Sequence, residues 1–230
     1  MNELVHAKAR ALRGAKARPA TKEATRTNDP ERTRADILEV AASEFGEKGL
    51  AGARIDEIAA LTQTSKRMIY YYFGSKEGLY LAVLEESYRQ VREIELELHL
   101  HDLEPEQALR RLVAFTFDHH LTHENFIRLV MNENMHRGEY LAQSTRIQEL
   151  NVPAIAAIRN LYERGVKAGV FRRGLDPVDI HASISALSFF NVSNRHTFDL
   201  IFKTDTRSRA YVARRRDSVI DMVVRFLRAP

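Results

Sequence analysis

The chain has 230 residues, 44% of them hydrophobic and 29% charged, which is enough to bury one sizeable core and a further small domain. It has no cysteine, so disulfides, thiolate catalysis and thiolate metal sites are excluded. The formal net charge of +4 at pH 7 is too small to indicate nucleic-acid binding by itself, so the position of the charge along the chain has to be considered.

The first 30 residues account for the whole charge imbalance. They contain seven lysines and arginines and three acids, a surplus of four that equals the net charge of +4. No apolar run in this segment is long enough for a secretory signal or a membrane span. Organelle transit peptides have a similar Ala- and Arg-rich composition, and that alternative stays open. We expect residues 1–30 to form a basic flexible arm that adds weak, salt-sensitive contacts to DNA.

Two helices and a short turn are predicted after this arm. Asp29-Pro30-Glu31 indicates a helix start, because proline is favoured in the first turn and acids suit the positive end of the helix dipole. This helix is amphipathic and is expected to close at Gly46 and Gly49. A second helix covers residues 55–61. The connection over residues 62–64 has the length typical of a helix-turn-helix.

Residues 65–76, with the sequence S-K-R-M-I-Y-Y-Y-F-G-S-K, predict a short helix with one polar face. The Ser65 hydroxyl can cap its start, and Gly74 can end it in the left-handed conformation. Ile69 and Phe73 lie four residues apart and can anchor it to a core. Adjacent helix positions point about 100° apart, so at least one of the three consecutive tyrosines is expected on the surface. The polar face carries Lys66, Arg67, Met68 and Tyr71.

With its neighbours, this stretch resembles the recognition helix of the TetR/AcrR family of transcriptional regulators over about residues 31–85. The matching positions are Phe45, Gly49, Ile58-Ala59, Ser65-Lys66, Ile69-Tyr70, Tyr72-Phe73, Ser75-Lys76-Glu77 and Leu79. The chain departs from the family pattern at Ala53-Arg54, where a Ser or Thr is usual, and at Gln63, where a glycine is usual.

The resemblance implies which residues meet double-stranded DNA. Tyr70, Tyr72 and Lys76 match positions that hold the phosphate backbone, whereas Arg67 could contact a guanine and Met68 could only pack. The full expected DNA-binding set is Arg54, Ser65, Lys66, Arg67, Met68, Tyr70, Tyr71, Tyr72 and Lys76.

The rest of the chain predicts further helices, and no stretch shows sustained alternation of period two, so an all-α protein is expected. One long helix is predicted from Lys76 to about Leu100, with others at about 106–122, 124–137, 145–168, 177–202 and 208–228. Pro153 predicts a kink or a boundary near Val152. With the resemblance, this gives a three-helix helix-turn-helix domain over 31–78 and a larger helical effector-binding and dimerisation domain over 79–230.

Residues 115–136 mix apolar and polar side chains, and by resemblance this middle part lines a pocket for a small molecule. A plain core with a solvated rim is the competing interpretation for any single residue. The expected ligand-binding residues are Phe115, His119, Met131, Asn132, Asn134 and His136.

His119 and His123 lie one helical turn apart and could share a metal, but no complete metal signature such as H-E-x-x-H is present. Packing or lining of the pocket is the favoured interpretation. No metal site and no cofactor are therefore assigned.

A homodimer is expected through helices near 177–202 and 208–228, by resemblance and because the last helix is apolar on more than one face. The segment F-F-N-V-S-N-R-H-T-F at 189–198 also resembles family members that control catabolism of pyrimidines and aromatic acids.

Together these features predict a cytoplasmic, ligand-responsive DNA-binding transcriptional regulator, a repressor that is released from a palindromic operator by a small molecule of unknown identity. It is not expected to be an enzyme, because no complete set of nucleophile or metal with an orienting partner is found. The alternatives are an effector-independent DNA-binding protein and a metal-responsive regulator that uses His119 and His123.

Overall fold

Helices form nearly all the regular structure of residues 29–230, the part of the chain that the computed structural model describes. They are α1 (Pro30–Gly52), α2 (Ile55–Leu61), α3 (Lys66–Phe73), α4 (Lys76–Leu96), α5 (Pro105–Thr122), α6 (Glu124–Met135), α7 (Thr145–Lys167), α8 (Pro177–Ser193), α9 (Arg195–Phe202) and α10 (Arg209–Leu227). Within this described part, the β contact is an isolated antiparallel bridge between Phe171 and Arg228. The predicted all-α class is confirmed. The basic arm was predicted over residues 1–30. Residues 1–28 of it lie outside the described residues.

The first four helices surround one apolar core. Ile37, Phe45, Ile58, Ile69 and Leu79 are all fully buried in it. These residues recur at helical spacing in each segment, which is why the sequence predicts this part well.

The second core lies between α5, α7, α8 and α10. Its fully buried members include Leu109, Val113, Phe117 and Val219. α4 and α6 connect the two cores: they contribute Leu79 and Leu129 to the first core, and they pack against α7 and α8, which form the second. The predicted boundary between residues 78 and 79 falls inside α4, so the two predicted domains are joined by a continuous helix.

Four predicted helix boundaries are wrong. α1 does not close at Gly46, which is buried within the helix, but the helical backbone does break at the predicted Gly49 (φ 65°, ψ 174°) before a last turn that ends at Gly52. α4 ends at Leu96, not near Leu100, and the turn that follows is held by Arg164. The guanidinium of Arg164 donates to the carbonyls of Leu100, His101 and Leu103 at 2.8–3.1 Å.

The predicted helix over 177–202 is two helices that meet at Asn194. Beyond this break, Arg195 is buried and its Nη1 donates to Glu124 Oε2 at 3.0 Å, which turns the chain toward α6. Of the kink or boundary predicted near Val152, the boundary does not occur, since α7 runs through Pro153. A proline removes one amide donor, and the packing of α7 against α4, α5 and α8 offsets that loss.

Candidate DNA interface and effector cavity

The turn between α2 and α3 has the geometry that a glycine usually provides, but here it is built on Gln63. Gln63 has φ 51°, in the left-handed region, where glycine is otherwise favoured. α3 then begins at the predicted cap, since the Oγ of Ser65 accepts from the Met68 amide at 3.2 Å. Gly74 has φ 75° and Ser75 caps α4 by accepting from the Gly78 amide at 3.0 Å. The serine cap predicted at the start of α3 and the glycine predicted at its end are therefore both present.

The face of α3 that points away from the core is aromatic and cationic. Tyr71 is 77% exposed, Tyr70 is 45% exposed and Tyr72 is half-buried against the first core. Ser65, Lys66 and Arg67 are exposed, and Met68 is half-buried beside them. At least one surface tyrosine was predicted, and two of the three, Tyr70 and Tyr71, are exposed. This face is available for contact with a large partner.

Asp56 of α2 lies between two of the predicted DNA-binding cations. It forms an ion pair with Lys66, and its other carboxylate oxygen is 3.8 Å from Nη2 of Arg54. Such exposed pairs are weak, so a phosphate can replace Asp56 as the partner of either cation at little cost.

Lys76 has a structural partner that the sequence did not reveal. Its Nζ donates to the carbonyl of Ala51 at 3.3 Å, near the end of α1. A cation at the start of a helix opposes the helix dipole, and this bond to a free carbonyl gives a reason for its presence besides DNA.

The missing hydroxyl cap at the start of α2 is compensated from α1. In the described part of the chain, the Arg54 side chain makes no cap hydrogen bond to α2, but the Arg54 amide donates to the buried Glu44 carboxylate at 3.1 Å. Lys48 joins Glu44 to Glu57, and the Glu57 hydrogen bond raises the pKa of Lys48. The departure at Ala53-Arg54 is thus accommodated without loss of the motif.

A cavity of about 390 Å³ lies between α4, α5, α7 and α8. All four helices contribute apolar side chains to its wall, whereas its arginines and glutamates come from α4 and α7. The lining residues are Arg89, Arg92, Glu93, Glu95, Leu96, Leu100, Leu112, Thr116, Arg146, Glu149, Leu150, Pro153, Ala154, Ala157, Ile158, His181 and Ile184. We call this cavity the large lobe.

A smaller cavity of about 150 Å³ adjoins it, and Arg92, Glu95, Thr116 and His181 line both. We call this the small lobe. Its remaining lining residues are mostly aromatic or polar: Tyr88, Val91, Phe115, His119, His120, Phe126, Val130, Asn151, Ser185 and Phe189. Together the two lobes have the size and the mixture of apolar and polar groups that small-molecule sites require.

The junction between the lobes carries a half-buried ion pair. Nη1 of Arg92 donates to Oε2 of Glu95, while Nε of Arg92 is buried without a hydrogen-bond partner among the described residues. Burial raises the pKa of Glu95 and outweighs the opposite effect of Arg92. The site therefore holds a permanent cation whose hydrogen bonding is incomplete.

Two buried imidazoles, His119 and His120, and the half-buried imidazole of His181 lie around this junction. Burial, with the neighbouring His123, lowers the pKa of His119 to about 3, and burial with the nearby His181 lowers the pKa of His120 to about 4. Burial also lowers the pKa of His181. All three are neutral at pH 7 and can donate and accept hydrogen bonds.

The structure divides the predicted ligand-binding residues into separate places. Phe115 and His119 line the small lobe. Asn132 and His136 line a different cavity of about 260 Å³ against α1 and α4, and Asn132 donates to the Phe45 carbonyl at 3.4 Å. Asn134 is exposed and donates to the Val130 carbonyl at 2.8 Å, and Met131 is half-buried. They are not brought together in one site.

The imidazoles of His119 and His123 stack with their centroids 4.0 Å apart and their planes 9° apart. In this arrangement Nδ1 of His123 lies 3.0 Å from the carbonyl oxygen of His119. Across residues 29–230, no group of three or more His, Cys, Asp or Glu residues is placed to hold a metal ion.

Sequence reasoning missed Arg92, Glu95 and His181. Arg92 and Glu95 follow Tyr88 by four and seven residues, and this helical spacing is the signal that could have placed a charged pair on the inward face of α4. A glutamate in this position suggests a solvent-exposed face, but the side chain of Glu95 is mostly buried.

A helix-turn-helix with an exposed cationic and aromatic helix, joined to a helical domain with a cavity between its helices, defines the class of DNA-binding regulators that respond to ligands. Residues 37–83 match the family model "Bacterial regulatory proteins, tetR family". Residues 105–223 match the model "Tetracyclin repressor-like, C-terminal domain". The chain belongs to the TetR family of transcriptional regulators.

Relatives and solved structures agree with this assignment. The HTH-type transcriptional repressor NicS of Pseudomonas putida is 36% identical over 90% of this chain and 98% of its own. The repressor SCO4008 of Streptomyces coelicolor is 37% identical over 60% of this chain and 69% of its own. The crystal structure of the regulator SCO4942 from Streptomyces coelicolor superposes with a TM-score of 0.65 and 27% identity, over 86% of this chain and 99% of that chain.

The protein is a ligand-responsive DNA-binding transcriptional repressor, as its sequence predicts. The effector-independent and metal-responsive alternatives are not favoured by these comparisons. Its relatives are named as regulators, which agrees with a role other than catalysis. None of the helices in residues 29–230 is long and apolar enough to cross a membrane.

Proposed function

We propose that the protein acts as a cytoplasmic homodimer that holds a palindromic operator with its two α3 helices and releases it when a small molecule binds in the cavity formed by the two lobes. The observation that carries this proposal is the position of α4 and α6. Both helices line the small lobe, through Tyr88 and Phe126 for example, and both also pack in the core of the helix-turn-helix. The protein would act by binding alone, without catalysing a reaction.

The DNA-contacting residues have separate proposed roles. Tyr70, Tyr72 and Lys76 would hold phosphates, since hydroxyl and ammonium groups suit phosphate oxygens. Arg67, exposed on α3, would read a guanine by a bidentate hydrogen bond in the major groove. Tyr71, the most exposed of the three tyrosines, would lie beside the bases with Met68. Arg54, Ser65 and Lys66 would contact the backbone at the start of α2 and α3.

α6 is proposed to couple the cavity to the DNA-binding helices, because its two faces contact different parts of the molecule. Phe126 and Val130 line the small lobe. Asn132 and Leu129 face the other way, and Asn132 reaches the Phe45 carbonyl of α1. A ligand that displaces Phe126 would therefore move α6 against α1. Operator and ligand would then oppose each other equally, with a coupling of about 1–3 kcal/mol.

The dimer is proposed to form through α8 and α10. The exposed residues of α8 at every fourth position are apolar: Val178, Ala182, Ala186 and Phe190. Met222 and Phe226 of α10 are also partly exposed, at 39% and 38%. Small residues such as Ala182 and Ala186 allow two helices to approach closely, and the four helices of two protomers would bury this stripe.

Selection of bound sequences from random double-stranded DNA with the full-length protein tests the proposal. We expect an inverted repeat whose half-sites lie about 34–36 Å apart or a multiple of that distance, as two α3 helices in successive major grooves require. Arg67→Ala protein provides the matched control and should select a relaxed repeat. Recovery of an unstructured mixture of sequences by the wild-type protein would contradict the proposed operator binding.

A further inference from the structure

We infer that the effector is a small aromatic acid whose ring occupies the small lobe and whose carboxylate pairs with Arg92. This inference rests on the proposed function, because it names the class of ligand for the same cavity. It assigns to Arg92 the role of recognising an anion, and to Glu95 the role of occupying Arg92 while the cavity is empty.

The small lobe is walled by rings. The centroid of the Phe115 ring lies 5.6 Å from that of His119, and the His119 and Phe126 centroids are 6.0 Å apart. His120 and Phe189 lie 6.2 Å apart, nearly perpendicular. Aromatic side chains stack face to edge or offset on one another, so a planar ring suits this wall better than a flexible aliphatic chain. A volume of about 150 Å³ indicates a ligand of one ring.

Arg92 differs from the other arginines that line the cavity. Arg89 is engaged by Glu86, with Nε 2.9 Å from Oε2, and also by Glu93. Arg146 lies beside Glu85 at 3.8 Å. Arg92 lines both lobes, its side chain is 14% exposed, and within the described residues its ion pair is with Glu95. Its buried Nε lacks an acceptor among residues 29–230.

A ligand carboxylate can satisfy the remaining hydrogen bonds of the Arg92 guanidinium, because the planar fork of arginine matches two carboxylate oxygens. A neutral ring would leave the buried Nε without an acceptor, which is costly. A cationic ligand would compete with Arg92 for Glu95 and would leave the arginine without a counter-ion.

Glu95 can yield its place on Arg92 because its burial already favours the protonated form. When a ligand carboxylate takes the guanidinium, Glu95 takes up one proton from solvent and the local charge is unchanged. His119, His120 and His181 are neutral and would hydrogen-bond to polar substituents of the ring without adding charge.

The first experiment compares three probes of similar size on the full-length protein: benzoate, the neutral benzamide and the non-planar cyclohexanecarboxylate. Binding is measured by calorimetry without DNA, and release is measured by fluorescence anisotropy with the selected operator. We expect benzoate, or one of its ring-substituted hydroxyl and amino derivatives, to bind about tenfold or more tightly than its amide, the factor that loss of a charge-assisted hydrogen bond gives. The cyclohexane analogue should also bind more weakly.

The second experiment uses variants of the junction. Arg92→Gln should lower affinity for the acid about tenfold or more and leave affinity for the amide within about twofold. Arg89→Gln is the matched control, since it removes the same charge from the same helix wall but from an arginine engaged by Glu86 and Glu93. Glu95→Gln should strengthen binding of the acid, because it removes the competing carboxylate. A purely structural ion pair would instead give weaker binding in both variants.

Three results would overturn the inference while the proposed function stands: equal affinity for acid and amide, no binding of any of the aromatic acids, or unchanged acid binding by Arg92→Gln protein. The Glu95→Gln variant and the comparison of probes decide the matter even if Arg92→Gln protein does not fold. Failure of the wild-type protein to select any DNA sequence would instead contradict the proposed function, so the two failures are distinguishable.

Discussion

Single residues on α3 and at the start of α4 offer two kinds of contact with DNA that a pair of variants can separate. Arg67→Ala should relax the preference at one base pair in each half-site and cost about 1–3 kcal/mol there. Lys76→Ala should weaken binding to all sequences alike and lower the slope of log affinity against log salt by about one. Quantitative binding to the selected operator and to single-base variants, at several salt concentrations, measures both effects.

Lys76 needs one further control, because its Nζ also bonds the Ala51 carbonyl. A thermal unfolding measurement shows whether Lys76→Ala protein is destabilised as well. If its affinity and salt slope are unchanged while its stability falls, the Ala51 bond is the role of Lys76 and the phosphate contact is wrong.

The buried histidines of the cavity should make the fold sensitive to acid. In the unfolded chain His119 and His120 bind protons below about pH 6.5, whereas the folded pKa values are about 3 and about 4. The unfolded state thus holds more protons, and the free energy of unfolding should fall as pH drops from about 6.5 to about 4. Each histidine contributes at most about 1.4 kcal/mol per pH unit in that range.

Urea denaturation at a series of pH values measures this dependence. His120→Gln should lower the slope of stability against pH between about pH 6.5 and 4, because one titrating group is removed. His136→Gln is the control, since His136 is exposed. The interpretation fails if the slope is the same in all three proteins.

At the scale of elements, Gly165 near the end of α7 lies in close contact with Phe171, in the segment that follows this helix. A Cβ on Gly165 would lie 1.9 Å from Cδ2 of Phe171, a ring that is 3% exposed in the second core. The strand-like segment after it pairs with the chain end, since the Arg172 amide donates to the Leu227 carbonyl at 2.8 Å.

Gly165→Ala should therefore lower the free energy of unfolding by about 1–3 kcal/mol, because the Phe171 ring has to move out of a packed core. Phe171→Leu alone should also destabilise, by leaving unfilled space. If the clash is the cause, the double variant should lose less than the sum of the two single variants. Additive losses would show that the contact between Gly165 and Phe171 is not the reason.

At the scale of the whole molecule, two α3 helices can reach successive major grooves only if two protomers associate. Ala186→Arg places a charge in the exposed apolar stripe of α8 and should give a folded monomer. Operator affinity should then fall steeply, since one protomer makes half the contacts. Ala168→Arg, at an exposed alanine at the end of α7, is the matched control. Analytical ultracentrifugation and circular dichroism measure assembly and folding, and a dimeric Ala186→Arg protein would contradict the α8 interface.

The basic arm also belongs to this scale. Deletion of residues 1–28 should leave a folded dimer, because this segment has little apolar surface to contribute to a core. Operator affinity should fall most at low salt, where the seven cations are screened least. The measurement is operator binding by truncated and full-length protein over a salt series. Loss of folding in the truncated protein would show that the arm is structural.

Features that depend on neighbours in the chain are determined by the sequence itself. Ser65, Ile69 and Gly74 act through a cap, a helical spacing and a left-handed turn, all of which involve residues within a few positions. For this reason the helix-turn-helix, the all-α class and the family could be predicted from the sequence.

Features that depend on distant partners were decided by the tertiary structure. α7 continues through Pro153 because other helices pack around it. The predicted helix over 177–202 is interrupted at Asn194, where Arg195 forms an ion pair with Glu124, 71 residues earlier in the chain. The set of residues that line the cavity also depends on distant partners. Phe115 and His119 were predicted, but the side chains of Asn132 and His136 point toward a different cavity, and Arg92 joins the site only because α4, α5, α7 and α8 enclose it. A helix pattern shows which face is inward, but the residues that meet there are set by long-range packing.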